Sequence, residues 1–183
     1  MKREQILVAS VQTIGQYGLE NSPISKIAKR AGVGAGTIYR YFETKEELIV
    51  QLFIYLTEEM AKTCLIENKE SLSIREWFNS IWGNVYRYMR ENPEHLCLME
   101  QLVASPAINE QVREEALNKI HHEVDTLLNQ AKAKNLVKDL DNHLLAIITF
   151  GSLVNIAKKA KLDPRLQIDP QTLLDICWDA VRA

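Results

Sequence analysis

The stretch Ser22 to Leu48, SPISKIAKRAGVGAGTIYRYFETKEEL, constrains this chain more tightly than any other part of it. Ser22 is a favoured N-cap residue, and Pro23 suits the first helical position, where its fixed φ helps and its missing N–H costs nothing. The pattern therefore predicts a helix from Pro23. Ile24, Ile27, Ala28 and Ala31 recur at the three-and-four spacing of a buried face, and Lys26, Lys29 and Arg30 fall on the opposite one. Gly32 supplies the left-handed residue that ends such a helix. A second short helix is expected from about Ala35 to Phe42, with Ile38 and Phe42 inward and Thr37, Arg40 and Tyr41 outward or flanking. Thr44 and Glu47 stand at the spacing of a capping box, so a third helix begins near Lys45. A lysine there is disfavoured by the helix dipole. It makes better sense beside an external anion, such as a phosphate that the exposed N–H groups also attract.

The separation of Ala28, Gly32, Val33 and Ile38 is that of a helix-turn-helix. Ala28 is small enough for two helices to cross closely, Gly32 turns the chain, and Val33 and Ile38 lock the second helix against the first. The extended run IAKRAGVGAGTIYRYFETKEEL resembles the DNA-binding signature of the tetracycline-repressor (TetR/AcrR) family of bacterial regulators. That resemblance implies an all-α fold of about nine helices. It implies a helix-turn-helix DNA-binding domain over residues 1–47 and a helical effector-binding and dimerisation domain over 48–183.

By the same resemblance, Ala35, Gly36 and Thr37 lie at the start of the recognition helix. Tyr39, Tyr41 and Lys45 fall on positions that commonly reach phosphate or sugar. Ser25 falls where the preceding helix touches a base or the backbone, and Arg40 is a phosphate or base contact. The bland readings are packing for the tyrosines, a solvated surface residue for Lys45 and an ordinary helix serine for Ser25. The chain departs from the family pattern at Gly34, where serine is frequent, at Ala35, which has no polar side chain, and at Pro23, which replaces a common threonine. Few base-reading groups remain, which shifts discrimination toward phosphate positioning and DNA shape.

The balance of charge agrees with a local rather than global basic surface. The formal net charge is -2, yet residues 1–50 carry seven Lys or Arg against five Asp or Glu, and the remainder fifteen against nineteen. Such asymmetry suits a module that approaches phosphates joined to one that does not. Cys64, Cys97 and Cys177 are odd in number and far apart, so a disulfide framework is not expected and the chain reads as intracellular, hence cytoplasmic. The apolar run Leu144 to Ala157 is too short and interrupted for a membrane span, and the N-terminus shows no signal-peptide core.

Ile6 to Gly18 reads as an amphipathic helix on Leu7, Val11 and Ile14. The helix from Lys45 is expected to continue to about Glu67 with no flexible linker. Ser73 and Glu76 form a second capping box, opening a helix from Ile74 to about Glu91, which Asn92 and Pro93 end. A shorter helix follows to about Val103. Asn109 caps a long one to about Lys134, with Val112, Ala116, Ile120, Leu127 and Ala131 inward. The segment Leu140 to Lys161 is apolar on two faces and has to be covered on both. Asp169 and Pro170 open a last helix.

The resemblance implies that the last two helices, about 140–161 and 170–182, pair with their copies in a homodimer, and that the partner is a palindromic double-stranded operator. It also implies a small-molecule effector held between helices of the C-terminal part. Trp77, Trp82, Tyr86, Met89, His95, Met99 and Phe150 are candidate lining residues, because aromatic and thioether groups with a few polar tips suit an amphipathic molecule. The same stripe also makes an ordinary core.

No cofactor or metal is expected. His121-His122-Glu123 has no second histidine at zinc-protease spacing, and no Glu-x-x-His pair exists for a di-iron bundle. No nucleophile elbow or phosphate-cradling glycine loop marks an enzyme. The expectation is a ligand-responsive dimeric repressor. A ligand-independent regulator is the first alternative, and a helical interaction module the second.

Overall fold

The computed structural model describes residues 2–163, 165, 166 and 168–183. Among these there are nine α-helices and no β-strand, apart from an isolated antiparallel bridge between Val137 and Arg182. The chain forms two compact units, Met1–Glu59 with Glu94–Leu117, and Met60–Pro93 with Asn118–Ala183.

The first unit holds α1 (Lys2–Tyr17), α2 (Ile24–Ala31), α3 (Ala35–Tyr39), most of α4 (Lys45–Cys64), α6 (Pro93–Val103) and the start of α7 (Glu110–Ala133). Ile6, Leu7, Val11 and Ile14 on α1 pack with Ile24, Ile27, Ala28 and Ala31 on α2, with Ile38 and Phe42, and with Leu48, Leu52, Phe53 and Leu56 on α4. Leu98, Leu102 and Ile108 complete this core from later in the chain. Each fully buried Val, Leu, Ile or Phe among them contributes roughly 1.5–3 kcal/mol of transfer free energy. Helix α1 begins at Lys2, ahead of Ile6, because Lys2 to Gln5 are exposed and apolar periodicity is silent about solvated turns.

The second unit is built on α5 (Ile74–Glu91), α8 (Asn142–Leu162) and α9 (Pro170–Val181), which pack on one another. The Ser73 hydroxyl accepts from the Glu76 N–H, and the Glu76 carboxylate accepts from the Ser73 N–H at 2.8 Å, so the expected capping box is complete. Asn109 Oδ1 accepts from the Val112 N–H at 2.9 Å, and Asp169 Oδ2 from the Thr172 N–H at 2.8 Å, with Pro170 first in its helix. Phe78 stacks on Trp82 with centroids 4.9 Å apart and meets Trp178 edge-on at 5.1 Å. Val124, Leu127, Leu128 and Ala131 are the buried apolar residues of α7, whereas Ile120, expected inward, is half-buried. Helix α4 stops at Cys64 rather than near Glu67, and Asn68, left-handed at φ 58°, leads into a 3-10 turn at Lys69–Ser71.

Helix α8 has the two apolar faces that the sequence announces, but the chain covers one. Leu145, Thr149, Leu153 and Ala157 are buried, while Leu144, Ile147 and Ile148 are exposed to 45%, 53% and 40%. Ile176 on α9 is 60% exposed.

Candidate nucleic-acid interface

The turn between α2 and α3 is fixed by backbone bonds that need a residue without a Cβ. Gly32 adopts φ 66° and ψ 30°, its N–H reaches Lys29 O, and the Val33 N–H reaches Ala28 O at 3.0 Å. These are the two bonds of a Schellman motif, which places α3 at a defined angle to α2. Ile38, wholly buried, and half-buried Val33 then anchor α3 to the core.

The N-cap of α2 is Pro23, not Ser22, and its side chain makes no cap. Ser22 is buried, and its hydroxyl donates to Gly18 O at 2.7 Å and to Thr13 O at 3.3 Å. The carbonyls of Thr13, in α1, and of Gly18, just beyond it, hold the hydroxyl away from the α2 amides. Helix α3 ends at Tyr39 instead of Phe42, but Tyr41 and Phe42 N–H groups still bond Ile38 O, so Phe42 stays inward. Of the expected capping box at α4, the half on Thr44 forms, with Oγ1 accepting from the Glu47 N–H at 3.0 Å. The Glu47 carboxylate instead accepts from the Glu43 N–H at 2.6 Å, one residue earlier than the motif requires.

These anchors leave one outward surface. Ser25, Ala35, Gly36, Tyr39, Arg40 and Tyr41 are exposed, and Thr37 and Lys45 are half-buried. Tyr39 and Tyr41 show 51% and 43% of their area, too much for core tyrosines. A Cβ built at Gly34 or Gly36 would meet nothing within 4 Å, so the start of α3 presents bare backbone to its surroundings. Three of the cations nearby are held by neutral partners. Lys26 donates to Asn21 O at 3.0 Å and lies 4.0 Å from the Tyr17 ring centroid, Arg30 donates to the Gln16 amide oxygen, and Lys45 donates to Leu19 O at 3.2 Å. Their charge is oriented without being cancelled, the arrangement a phosphate backbone requires. Two supports have no motif to announce them. Gln5 Nε2 donates to Ala31 O at 2.9 Å, tying α1 to the end of α2, and Gln101 on α6 bonds the Leu19 N–H at 3.1 Å.

The residues named as effector contacts fall in both units. Trp77, Trp82, Tyr86 and Met89 are buried along α5 and Phe150 is 40% exposed on α8, all in the second unit, whereas half-buried His95 and Met99 on α6 belong to the first. Trp77 Nε1 donates to Glu123 Oε1 at 3.1 Å, and Lys69 Nζ lies 2.5 Å from Glu123 Oε2. The glutamate of His121-His122-Glu123 is thus committed to a structural pair. The indole N–H of Trp82, by contrast, is buried without a partner. Burial pushes the Cys64 thiol up to about 12, against a smaller opposing pull from Arg87. No described helix is long and apolar enough to cross a membrane.

Residues 6–52 match the family model described as bacterial regulatory proteins of the tetR family, and residues 73–182 match the tetracyclin repressor-like C-terminal domain. An uncharacterized HTH-type transcriptional regulator of Haemophilus influenzae is 26% identical, over 98% of this chain and 95% of its own. A TetR family transcription regulator from Marinobacter aquaeolei superimposes with a TM-score of 0.89 at 23% identity, over 99% of this chain and 95% of that one. FadR from Bacillus subtilis, solved in complex with stearoyl-CoA, superimposes with a TM-score of 0.74 at 23% identity, over 97% and 96%.

Proposed function

The chain belongs to the tetracycline-repressor family of helix-turn-helix transcriptional regulators, and from that premise we propose that it is a dimeric repressor of a palindromic operator, released by a small amphipathic molecule. The family acts by binding, not by catalysis. The observation that carries the proposal is the outward surface of α2 and α3, where Thr37, Tyr39, Arg40 and Tyr41 stand on a rigid glycine turn. Residues 1–47 would then be the DNA-binding domain, and 48–183 the effector-binding and dimerisation domain of a cytoplasmic, nucleoid-associated protein.

Dimerisation is supported by the uncovered face of α8 and by Ile176. A contiguous apolar surface of this kind on helices that are otherwise packed marks an association site. A twofold dimer sets two heads about 34–36 Å apart, one groove repeat, which is why the operator should be an inverted repeat. Tyr39 and Tyr41 hydroxyls and the Lys45 ammonium would fix register on phosphates, and Ala35, Gly36 and Thr37 would face the bases. Release requires an effector that prefers the DNA-incompetent state. A hundredfold preference supplies roughly 2.7 kcal/mol of coupling. The stearoyl-CoA complex of the Bacillus subtilis neighbour supports an amphipathic ligand in this fold, and the unpaired Trp82 N–H supplies a donor for its polar part.

Selection of bound duplexes from a random pool tests the reading. Enrichment of an inverted repeat, with half-sites spaced by one helical turn or a multiple, is the expected result. Enrichment of no sequence, or of one without twofold symmetry, overturns it.

A further inference from the structure

The backbone of Leu19 joins two side chains that are remote in sequence. Its N–H donates to Oε1 of Gln101 at 3.1 Å, and its carbonyl accepts from Nζ of Lys45 at 3.2 Å. Gln101 Nε2 donates to Cys97 O at 3.4 Å, which orients the amide so that its oxygen faces Leu19. The preceding residue, Gly18, is left-handed at φ 79°, and a Cβ there would lie 3.7 Å from Gln101 Oε1. Turn and glutamine are therefore in contact, and all of these residues belong to the first compact unit.

We propose that Gln101 is a positioning residue for DNA binding, which acts through the Leu19 backbone to hold the Lys45 ammonium where a phosphate arrives. This rests on the reading of Lys45 as a phosphate contact. Lysine carries a compact charge on a flexible stem, and an unanchored side chain loses that rotamer freedom when it engages a phosphate. One N–H committed to Leu19 O removes part of that freedom beforehand and leaves two donors for the anion. The Gln101 contact fixes the Leu19 backbone at its N–H side, and with it the direction in which the Leu19 carbonyl faces Lys45. That acceptor also accounts for a lysine at the positive end of α4 in the absence of DNA, where the dipole alone disfavours it. Without Gln101 the Leu19 N–H loses its partner, the glycine-flanked turn relaxes, and the ammonium is no longer placed.

The test is the salt dependence of binding, measured by fluorescence anisotropy with the full chain and the selected duplex, or a mixed-sequence duplex if none is enriched. Each phosphate contact contributes about 0.9 to the slope of log K against log salt. Lys45→Ala should lower the slope by about that amount per bound head. Gln101→Met, of similar volume but without the acceptor, should remove at least half as much. Adding Gln101→Met to Lys45→Ala should change the slope no further. A wild-type slope for Gln101→Met beside a reduced one for Lys45→Ala overturns the proposal, as does simple additivity of the two. An unchanged slope for Lys45→Ala overturns the phosphate assignment itself, whatever Gln101 does.

Discussion

Glycine in a helix costs roughly 0.5–1 kcal/mol relative to alanine, because it surrenders more backbone freedom on folding. Gly36 sits inside α3 at an ordinary helical φ, and a Cβ there would touch nothing within 4 Å. The free protein thus has no packing reason to keep a glycine at this position. Gly36→Ala should stabilise the unliganded chain by about 0.5 kcal/mol, toward the low end because α3 is short and Gly36 is in its first turn. For a chain of this length that raises the thermal midpoint by roughly 1–2 °C.

On DNA the sign should reverse. If α3 lies against the groove with its backbone in contact, the added methyl meets base edges or sugar, and overpacking of a close interface costs about 1–3 kcal/mol. Affinity should then fall by roughly five- to 150-fold per head. Differential scanning fluorimetry of the free protein and anisotropy titration at fixed salt give the two numbers from one preparation. A stabilised variant with unchanged affinity would show that α3 does not approach the duplex closely at Gly36. A variant that loses both stability and affinity would show instead that the glycine serves the fold.

Gly32→Ala should destabilise the protein by about 1–2 kcal/mol through its left-handed φ alone, since its Cβ also meets open space, and Gly32→Asn should cost less; equal chemical-denaturation midpoints for all three would refute the turn's role. Glu123→Ala should cost about 1–3 kcal/mol by orphaning the Trp77 N–H, and Glu123→Gln clearly less because it keeps an acceptor, again read by denaturation. Ile147→Asp combined with Ile176→Asp should convert a dimer to monomer in light scattering and abolish preference for an inverted repeat, and a persistent dimer would move the interface elsewhere. His95 is held below its ordinary pKa mainly by burial, with Glu94 and Glu59 opposing. The unfolded chain therefore takes up the proton first, so stability is intact above about pH 6.5 and declines as pH falls below it. His95→Gln should flatten that part of the pH profile of the melting temperature, and an identical profile would remove His95 as its source.

The parts of this fold that were legible in the sequence are those decided by side chains speaking to nearby backbone. Gly32, Ser73 with Glu76, Asn109 and Asp169 with Pro170 each satisfy orphan groups of their own helix end, within four residues, and each stands where the pattern put it. Ser22 was misleading because its hydroxyl had a choice between the amides ahead of it and the carbonyls of α1 behind it, and only the packed turn decides. Glu47 reached Glu43 rather than Thr44 for a similar reason. Gln5 and Gln101 gave no signal at all, since a glutamine that caps a distant turn obeys no periodicity. For the outward surface, the apolar stripe of Ile38 and Phe42 leaves Arg40 and Tyr41 exposed by elimination, whereas the exposure of Tyr39 is implied by the family resemblance alone.

What remains is how so plain a recognition helix distinguishes one sequence from another. Helix α3 has five residues, and two of its first three, Ala35 and Gly36, offer no side-chain hydrogen bond. Direct readout by bidentate pairs, worth about 1–3 kcal/mol per base, has few groups to work with here. The absence of side chains at Gly34 and Gly36 has an opposite effect on the backbone, which it lets come nearer to the duplex. On the contacts proposed above, a nearer backbone would bring Tyr39, Tyr41 and Lys45 within reach of phosphates on both sides of the groove, so the contacts that position the head would multiply as those that read bases diminish. Such contacts are sensitive to groove width and to how easily the duplex deforms, which vary with sequence at positions no side chain touches. With two heads fixed on a twofold dimer, as proposed, the separation between half-sites becomes a further discriminator, because only one spacing lets both sets of phosphate contacts form without strain. On the proposed mode of binding, specificity would reside more in the scaffold behind α3, including the Schellman turn and the Leu19 bonds, than in the side chains α3 itself presents.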